Sequence, residues 1–334
     1  MDRIAHVLRA RRAFTLVELL TVIVIIGILA GLITAAAVRG RTRAKVVAIK
    51  SEISQLAMAC EAYKEKYGEY PPDLTDLVAL DRHLKRAFPR YTGDAAVFLN
   101  SVAAAYGIST PDFTQLGPAS ALVIFLGGIP EQPGSNKPAG FHADPKDPFK
   151  WGEPRTNPFF EFDVGRLTIA DPANPNKILC QYRPAGAATA APYVYFKSRR
   201  LSLPTNQPQY QYDEYAVVDA NGVVHPLSSP LLGSSPAPYG YCVPYLEFNP
   251  TPAVSTPLDP SQQLVNGVNP RQWPEAGKFQ IISAGLDGLF GNALVGGSPQ
   301  EFRYRRLGLN FSDDGGDFDN ITNFSEGTLE DELE

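Results

Sequence analysis

FTLVELLTVIVIIGILAGLITAAAV, residues 14–38, decides how the rest of the chain is read. Its one charge is Glu18. As a helix rising about 1.5 Å per residue it reaches roughly 38 Å, enough to cross the roughly 30 Å hydrocarbon core of a bilayer. Before it stand Arg3, Arg9, Arg11 and Arg12. A basic flank stays on the cytoplasmic side, so residues 1–13 are expected inside and the remainder across the membrane, with the head outside the cytoplasm.

An ordinary signal peptide or uncleaved anchor is the plain alternative. A signal peptide has a shorter apolar core that ends in a small-x-small cleavage site. This run instead continues into Arg39, Arg41, Arg43 and Lys45, a basic cluster that also reads as an interfacial anchor. A carboxylate near the start of a membrane helix costs about 2–3 kcal/mol, so Glu18 needs a partner or a purpose.

RRAFTLVELLTVIVIIGILAGL, residues 11–32, resembles the leader and membrane segment of type IV prepilins and type II secretion pseudopilins. The resemblance implies that a prepilin peptidase cuts between Ala13 and Phe14 and that the new Phe14 amine is N-methylated. Glu18 then becomes the fifth residue of the mature chain. The sequence departs from the family at Ala13, where glycine is usual, and slower processing is expected. The chemistry is coherent by itself: the cut leaves a cationic amine one helical turn from Glu18. Neutralising the pair lowers the cost of a buried carboxylate, and between subunits it sets axial register. Further copies or related pseudopilins, and an inner-membrane assembly platform, are the partners implied.

Downstream, Ile49, Ile53, Leu56, Cys60, Tyr63 and Tyr67 recur at alternating spacings of four and three, one face of a continuous helix. That face packs either on its own domain or in a short coiled coil. KYGEYPPDLTDL, residues 66–77, ends it, with Gly68 suited to a C-cap and Pro71–Pro72 unable to continue. Pilin-like proteins often show a similar Tyr-Pro step. The expected organisation is a leader at 1–13, a transmembrane helix at 14–38, the soluble half of that helix at 39–70 and a globular head at 71–334.

The head reads as α+β, a type IV pilin-like arrangement of the long helix on an antiparallel sheet with large loop insertions. Helices are expected over 74–87 and 95–106, and residues 117–130 form either a short helix or a buried strand. Strands are expected at 177–182, 192–196, 214–218 and 279–283, with a hairpin turn at Asn221-Gly222. Pro-rich spans 126–158 and 226–275 read as long loops.

FQIISAGLDGLFG, residues 279–291, and SDDGGDFDNITNF, residues 312–324, resemble the C-terminal segment of the major pseudopilin. In that family the two loops bind calcium. The resemblance places Asp287 in the first loop and Asp317 or Asp319 in the second, though residues 292–311 lengthen the gap and Asn320 separates Asp319 from Ile321. Ca²⁺ takes about six to eight oxygens, and Asp313, Asp314, Asp317, Asp319 and Asn320 on a Gly-rich loop supply acceptors of that kind. A solvated acidic tip is the alternative reading.

The charge distribution argues in the same direction. Residues 1–50 carry nine Lys and Arg against Asp2 and Glu18, so the rest of this net −5 chain is strongly acidic, which disfavours nucleic-acid binding by the head. Of three cysteines, Cys180 and Cys242 are the pair for a bridge in an oxidising compartment, the alternative being three buried thiols. His6 lies in the leader, and His83, His142 and His225 show no zinc spacing and read as surface or loop residues. No nucleophile elbow, P-loop or dinucleotide fingerprint is present. Two further readings stand beside a filament subunit: a tethered binding or adhesive domain that uses the N-terminus only as an anchor, and a tethered hydrolase.

Overall fold

The computed structural model describes residues 16–114, 116–185, 190–202, 211–218, 224–230, 240–247, 272–291, 294–295, 298–299, 303–304 and 316–333. By packing, the chain divides into two units, Met1–Lys45 and Val46–Glu334. Helix α1 (Leu16–Tyr67) contributes to both. It is free of proline and rich in Ala, Leu, Ile and Lys, which lose little side-chain freedom in a helix or, for Ile, gain from packing. In the first unit, residues 16–45 are exposed on every side.

In the second unit, α1 buries Ile49, Ile53, Leu56, Ala59, Cys60 and Tyr63, the spacing expected, with Tyr67 half-buried. This is packing on the chain's own domain. The helix ends at Gly68, whose φ is 82° and whose N–H donates to Lys64 O at 2.7 Å. That conformation suits a residue without a Cβ, and it makes a C-cap of the expected kind.

Helices α2 (Leu77–Ala87) and α3 (Ala95–Ala105) start at acidic caps, Asp76 accepting from Val78 N–H at 2.8 Å and Asp94 from Val97 N–H at 2.8 Å. The first begins three residues later than expected because Leu74 adopts a left-handed φ of 62°. Helix α4 (Pro118–Leu122) runs into a π-helical turn, Val123–Gly127, and every residue of both is buried. The open choice at 117–130 is thus resolved as a helix, apolar all round because it is enclosed all round.

Strands β1 (Leu167–Asp171) and β2 (Asn174–Tyr182) form an antiparallel hairpin. The second was expected from residue 177, and the first is an addition. A three-stranded antiparallel sheet lies at the centre: β3 (Val194–Lys197) pairs with strand Phe279–Ser283, which pairs on its other side with Ile321–Thr322. All five residues of Phe279–Ser283 are buried, so the sheet is covered on both faces. Phe279, Ile281 and Tyr195 join the core that contains α1, while Ile282, Val194 and Phe196 join a second core with Tyr215, Tyr245 and Trp273.

The strand expected at 214–218 is broken. β5 (Gln211–Glu214) pairs with β4 (Arg199–Ser202), and β6 (Ala216–Val218) pairs with β7 (Val224–Pro226). Between them Tyr215 is fully buried and donates its hydroxyl to Glu275 O at 2.7 Å, so a core anchor falls where the ladder changes partner. The Asn221-Gly222 turn lies outside the described residues, although its flanking strands pair as a hairpin.

Loop 126–158 is organised by one guanidinium. Arg155 donates to Ala139 O at 3.0 Å, Gly152 O at 3.2 Å, Ile129 O at 2.6 Å and Gly140 O at 2.5 Å. Most of the other expected loop, 226–275, lies outside the described residues.

Cys60, Cys180 and Cys242 are buried, and none is in a disulfide. The Cys180–Cys242 bridge does not form, since Cys180 packs in the core with α1 and Cys242 in the other. Burial pushes the thiol pKa of both Cys60 and Cys180 upward, which makes them poor nucleophiles.

Candidate functional site

Two places carry the site residues read from the sequence. The first is the exposed start of α1. Glu18 lies in its first turn, where the helix dipole and unsatisfied N–H groups favour a carboxylate. Ala13 and Phe14 lie outside the described residues. The polar side chains that follow are satisfied inside the helix: Thr21 Oγ1 donates to Glu18 O at 3.0 Å and Thr34 Oγ1 to Ala30 O at 2.8 Å. Hydroxyls bonded this way are tolerable in hydrocarbon.

Large apolar side chains such as Leu20, Ile23, Ile26 and Leu29 project outward, and by length and composition α1 suffices to cross a membrane. One feature escaped the sequence reading. Gly27 and Gly31, four apart, share a face, and nothing among the described residues comes within 4 Å of a Cβ built on either. Small residues at this spacing let two membrane helices approach closely.

The second place is the C-terminal pair of loops. Asp319 Oδ2 accepts the Leu286 N–H at 2.6 Å and the Asp287 N–H at 2.8 Å, while Asp287 Oδ1 accepts the Leu289 N–H at 2.7 Å. Gly285, at φ 60°, permits this approach, because a Cβ there would stand 2.0 Å from Asp319 O. Burial raises the Asp319 pKa against the pull of those two N–H groups. Its other oxygen, Oδ1, is buried without a hydrogen-bond partner.

Asp317 is brought to the same loop but turns inward, 1% exposed, and accepts the Tyr245 hydroxyl at 2.9 Å. Asp313 lies outside the described residues. Among the described residues no group of three or more His, Cys, Asp or Glu gathers as a metal set. The structure therefore joins Asp287 to Asp319 through the backbone and assigns Asp317 to the core.

A third cluster contradicts the reading of the histidines. His83 is 1% exposed, with Nδ1 2.8 Å from Glu69 Oε1 and Nε2 2.8 Å from Tyr63 Oη. The pattern fits a neutral ring donating from Nδ1 and accepting the tyrosine hydroxyl at Nε2. Burial lowers the His83 pKa and raises that of Tyr63. Glu69 also accepts from Lys197 Nζ at 3.1 Å, so the cluster ties α1, α2 and β3 together. Tyr63 is wholly enclosed, and the arrangement is an internal brace. His142 is also buried, its Nδ1 accepting the Asp144 N–H at 2.9 Å. Neither was legible, because the helix pattern around His83 and the loop around His142 do not report which polar side chain has a buried partner.

Against this geometry, the family described as the prokaryotic N-terminal methylation motif matches residues 8–34. The chain carries a prepilin-type N-terminus. It is also similar to the type II secretion system core protein G of Pseudomonas aeruginosa, 38% identical over 72 residues, which is 22% of this chain and 51% of that protein. The chain thus spans about half the length of the curated relative it matches. No solved structure matches. The chain thus combines a prepilin-type N-terminal motif and a helix long and apolar enough to cross a membrane with a mixed α+β architecture.

Proposed function

We propose that this chain is a structural subunit of a pseudopilus or type IV pilus-like filament of the type II secretion class. Prepilin peptidase removes residues 1–13 and the Phe14 amine is methylated. The subunit waits in the inner membrane with its N-terminus cytoplasmic and its head periplasmic, then joins other copies or related pseudopilins at the inner-membrane platform. The observation that carries this reading is the lone Glu18 in the first turn of an exposed apolar helix, inside the matched motif at 8–34. In a filament the exposed face of α1 is covered by other α1 helices, and Glu18 meets the amine of a neighbour. The role is architectural, without catalysis.

The test is the intact mass of the chain from membranes of cells with and without the peptidase. A chain that begins at methylated Phe14 only when the peptidase is present supports the reading, and one that begins at Met1 in both sinks it. A second reading rests on the 72-residue extent of the match: the head is a binding or adhesive domain and α1 only its anchor. It predicts normal function after Glu18→Ala.

We further propose that the clamp between Asp319 and the 283–288 turn takes a calcium ion. The orphaned Asp319 Oδ1 is an oxygen of the kind such a cation prefers. Asp319 and Asp287 are its carboxylates. The ion would supply charge neutralisation and a fastening between two loops, a structural contribution.

A further inference from the structure

Four cations follow the apolar part of α1 directly: Arg39, Arg41, Arg43 and Lys45. All are exposed, and among the described residues none has an ion pair or hydrogen bond to this chain through its side chain. At about 100° per residue, Arg39 and Arg43 fall on one side of the helix and Arg41 and Lys45 on roughly the opposite side, so the charge forms a collar rather than a stripe.

Its position is informative. Glu18 and Arg39 are separated by about 31 Å at about 1.5 Å per residue, close to the thickness of the hydrocarbon core. With Glu18 at one edge of that layer, the collar begins at the phosphate level of the other leaflet. Such a basic flank opposes the orientation set by Arg3, Arg9, Arg11 and Arg12, unless something at the far surface compensates it.

We infer that the collar binds anionic phospholipid headgroups in the leaflet opposite the N-terminus, holding the unassembled subunit at fixed depth. Guanidinium groups pair with phosphate through forked hydrogen bonds, and placement on both sides of the helix lets several lipids bind at once. Removal of residues 1–13 takes the opposing arginines away, so the collar then dominates the flanking charge. Lipids must be shed before the helix leaves the bilayer, which makes headgroup composition a control on assembly. The inference rests on the membrane reading of α1.

The full chain, reconstituted in phosphatidylcholine vesicles, is probed with spin-labelled phosphatidylglycerol or spin-labelled phosphatidylcholine. The expected result is selective retention of the anionic lipid, by about fivefold for each cation held at the surface. The selectivity should fall with sodium chloride, persist in R39K/R41K/R43K and drop in R39Q/R41Q/R43Q/K45Q to the level that Arg3, Arg9, Arg11 and Arg12 retain at the other surface. Equal retention of the two lipids, or selectivity unchanged in the glutamine variant, overturns the inference. So does displacement by inorganic phosphate beyond that by sodium chloride of equal ionic strength, which would mark a small-anion site. A glutamine variant that loses self-cross-linking but keeps lipid selectivity identifies another copy as the collar's partner. Alkaline carbonate separates the two levels: a chain stripped from the vesicles defeats the membrane reading itself, whereas an embedded chain without selectivity defeats only this inference.

Discussion

Arg166 reaches Glu52 of α1 across 114 residues of sequence, donating from Nη1 to Oε2 at 2.9 Å and from Nη2 to Oε1. Tyr182 and Tyr193 add their hydroxyls to the same carboxylate at 3.0 and 2.6 Å. Side chains of this pair are only 21% and 14% exposed. The long helix is therefore fixed by one shared acceptor to the end of β2 and to the residues that directly precede β1 and β3.

Glu52→Ala should destabilise the head by about 3 kcal/mol, because it strands a largely buried guanidinium and two hydroxyls together. Glu52→Gln, which keeps an acceptor, should cost less. Thermal unfolding of the detergent-solubilised chain reads both, and an unchanged midpoint for the alanine variant would show that water replaces the carboxylate.

Gly285→Ala should unfasten the C-terminal clamp. The φ of 60° and the 2.0 Å approach to Asp319 O leave no room for a methyl group, and relaxing it pulls the Leu286 and Asp287 N–H groups off Asp319. Asp319→Ala removes the same acceptor without backbone strain. If the proposed calcium is present, added calcium raises the midpoint of the wild type and not of Asp319→Ala. Equal shifts in both would place the ion elsewhere.

Acid should weaken the head in two stages. Burial sets the folded pKa of His83 below its ordinary value despite Glu69, so the unfolded chain binds that proton more readily, and stability falls as pH drops below the ordinary histidine range, about 6.5. Burial opposes ionisation of Glu69, but the His83 hydrogen bond and the Lys197 charge overcome it and hold the pKa at about 2. Its contribution is present above the ordinary carboxylate range, about 4.5, and is lost as pH falls toward 2. His83→Gln should abolish the upper stage, read as the pH dependence of the unfolding midpoint. A flat profile between neutrality and pH about 5 in the wild type would refute it.

What the sequence made legible follows periodicity and caps. The buried face from Ile49 to Tyr63, the Gly68 stop and the strand Phe279–Ser283 are each written in adjacent residues, and each appears at those positions. Within the candidate site, Asp287 and Asp319 do come together, but the sequence could not show that Asp319 binds backbone N–H groups or that Asp317 turns toward Tyr245. Those outcomes depend on partners 32 and 72 residues away. The same holds for His83, and for Arg155, whose carbonyl partners lie on separate turns of one loop. Nonlocal polar pairing leaves no period in the chain.

Gly31→Leu should impair assembly without altering the isolated subunit. Position 31 touches nothing among the described residues, so the larger side chain costs the monomer little, while a close helix–helix approach through Gly27 and Gly31 would be blocked. Cysteine cross-linking between subunits in membranes measures it. Cross-linking at wild-type yield would show that this face is turned to lipid.

Glu18→Ala tests the assembly reading most directly. Glu18 is exposed in the first turn of α1, and no part of the Val46–Glu334 unit includes it, so the variant should fold, insert and be processed normally. Removing a carboxylate from the membrane segment even lowers the cost of residence in lipid. What it removes is the counter-charge for a neighbouring Phe14 amine, and filaments should disappear while monomer persists. Glu18→Gln separates charge from size: it keeps the shape and a hydrogen-bond acceptor but not the ion pair, and should fail nearly as badly. If Glu18→Gln assembles at wild-type yield, the amine pairing is not what registers the subunits. If Glu18→Ala assembles too, the N-terminal helix is an anchor and function belongs to the head.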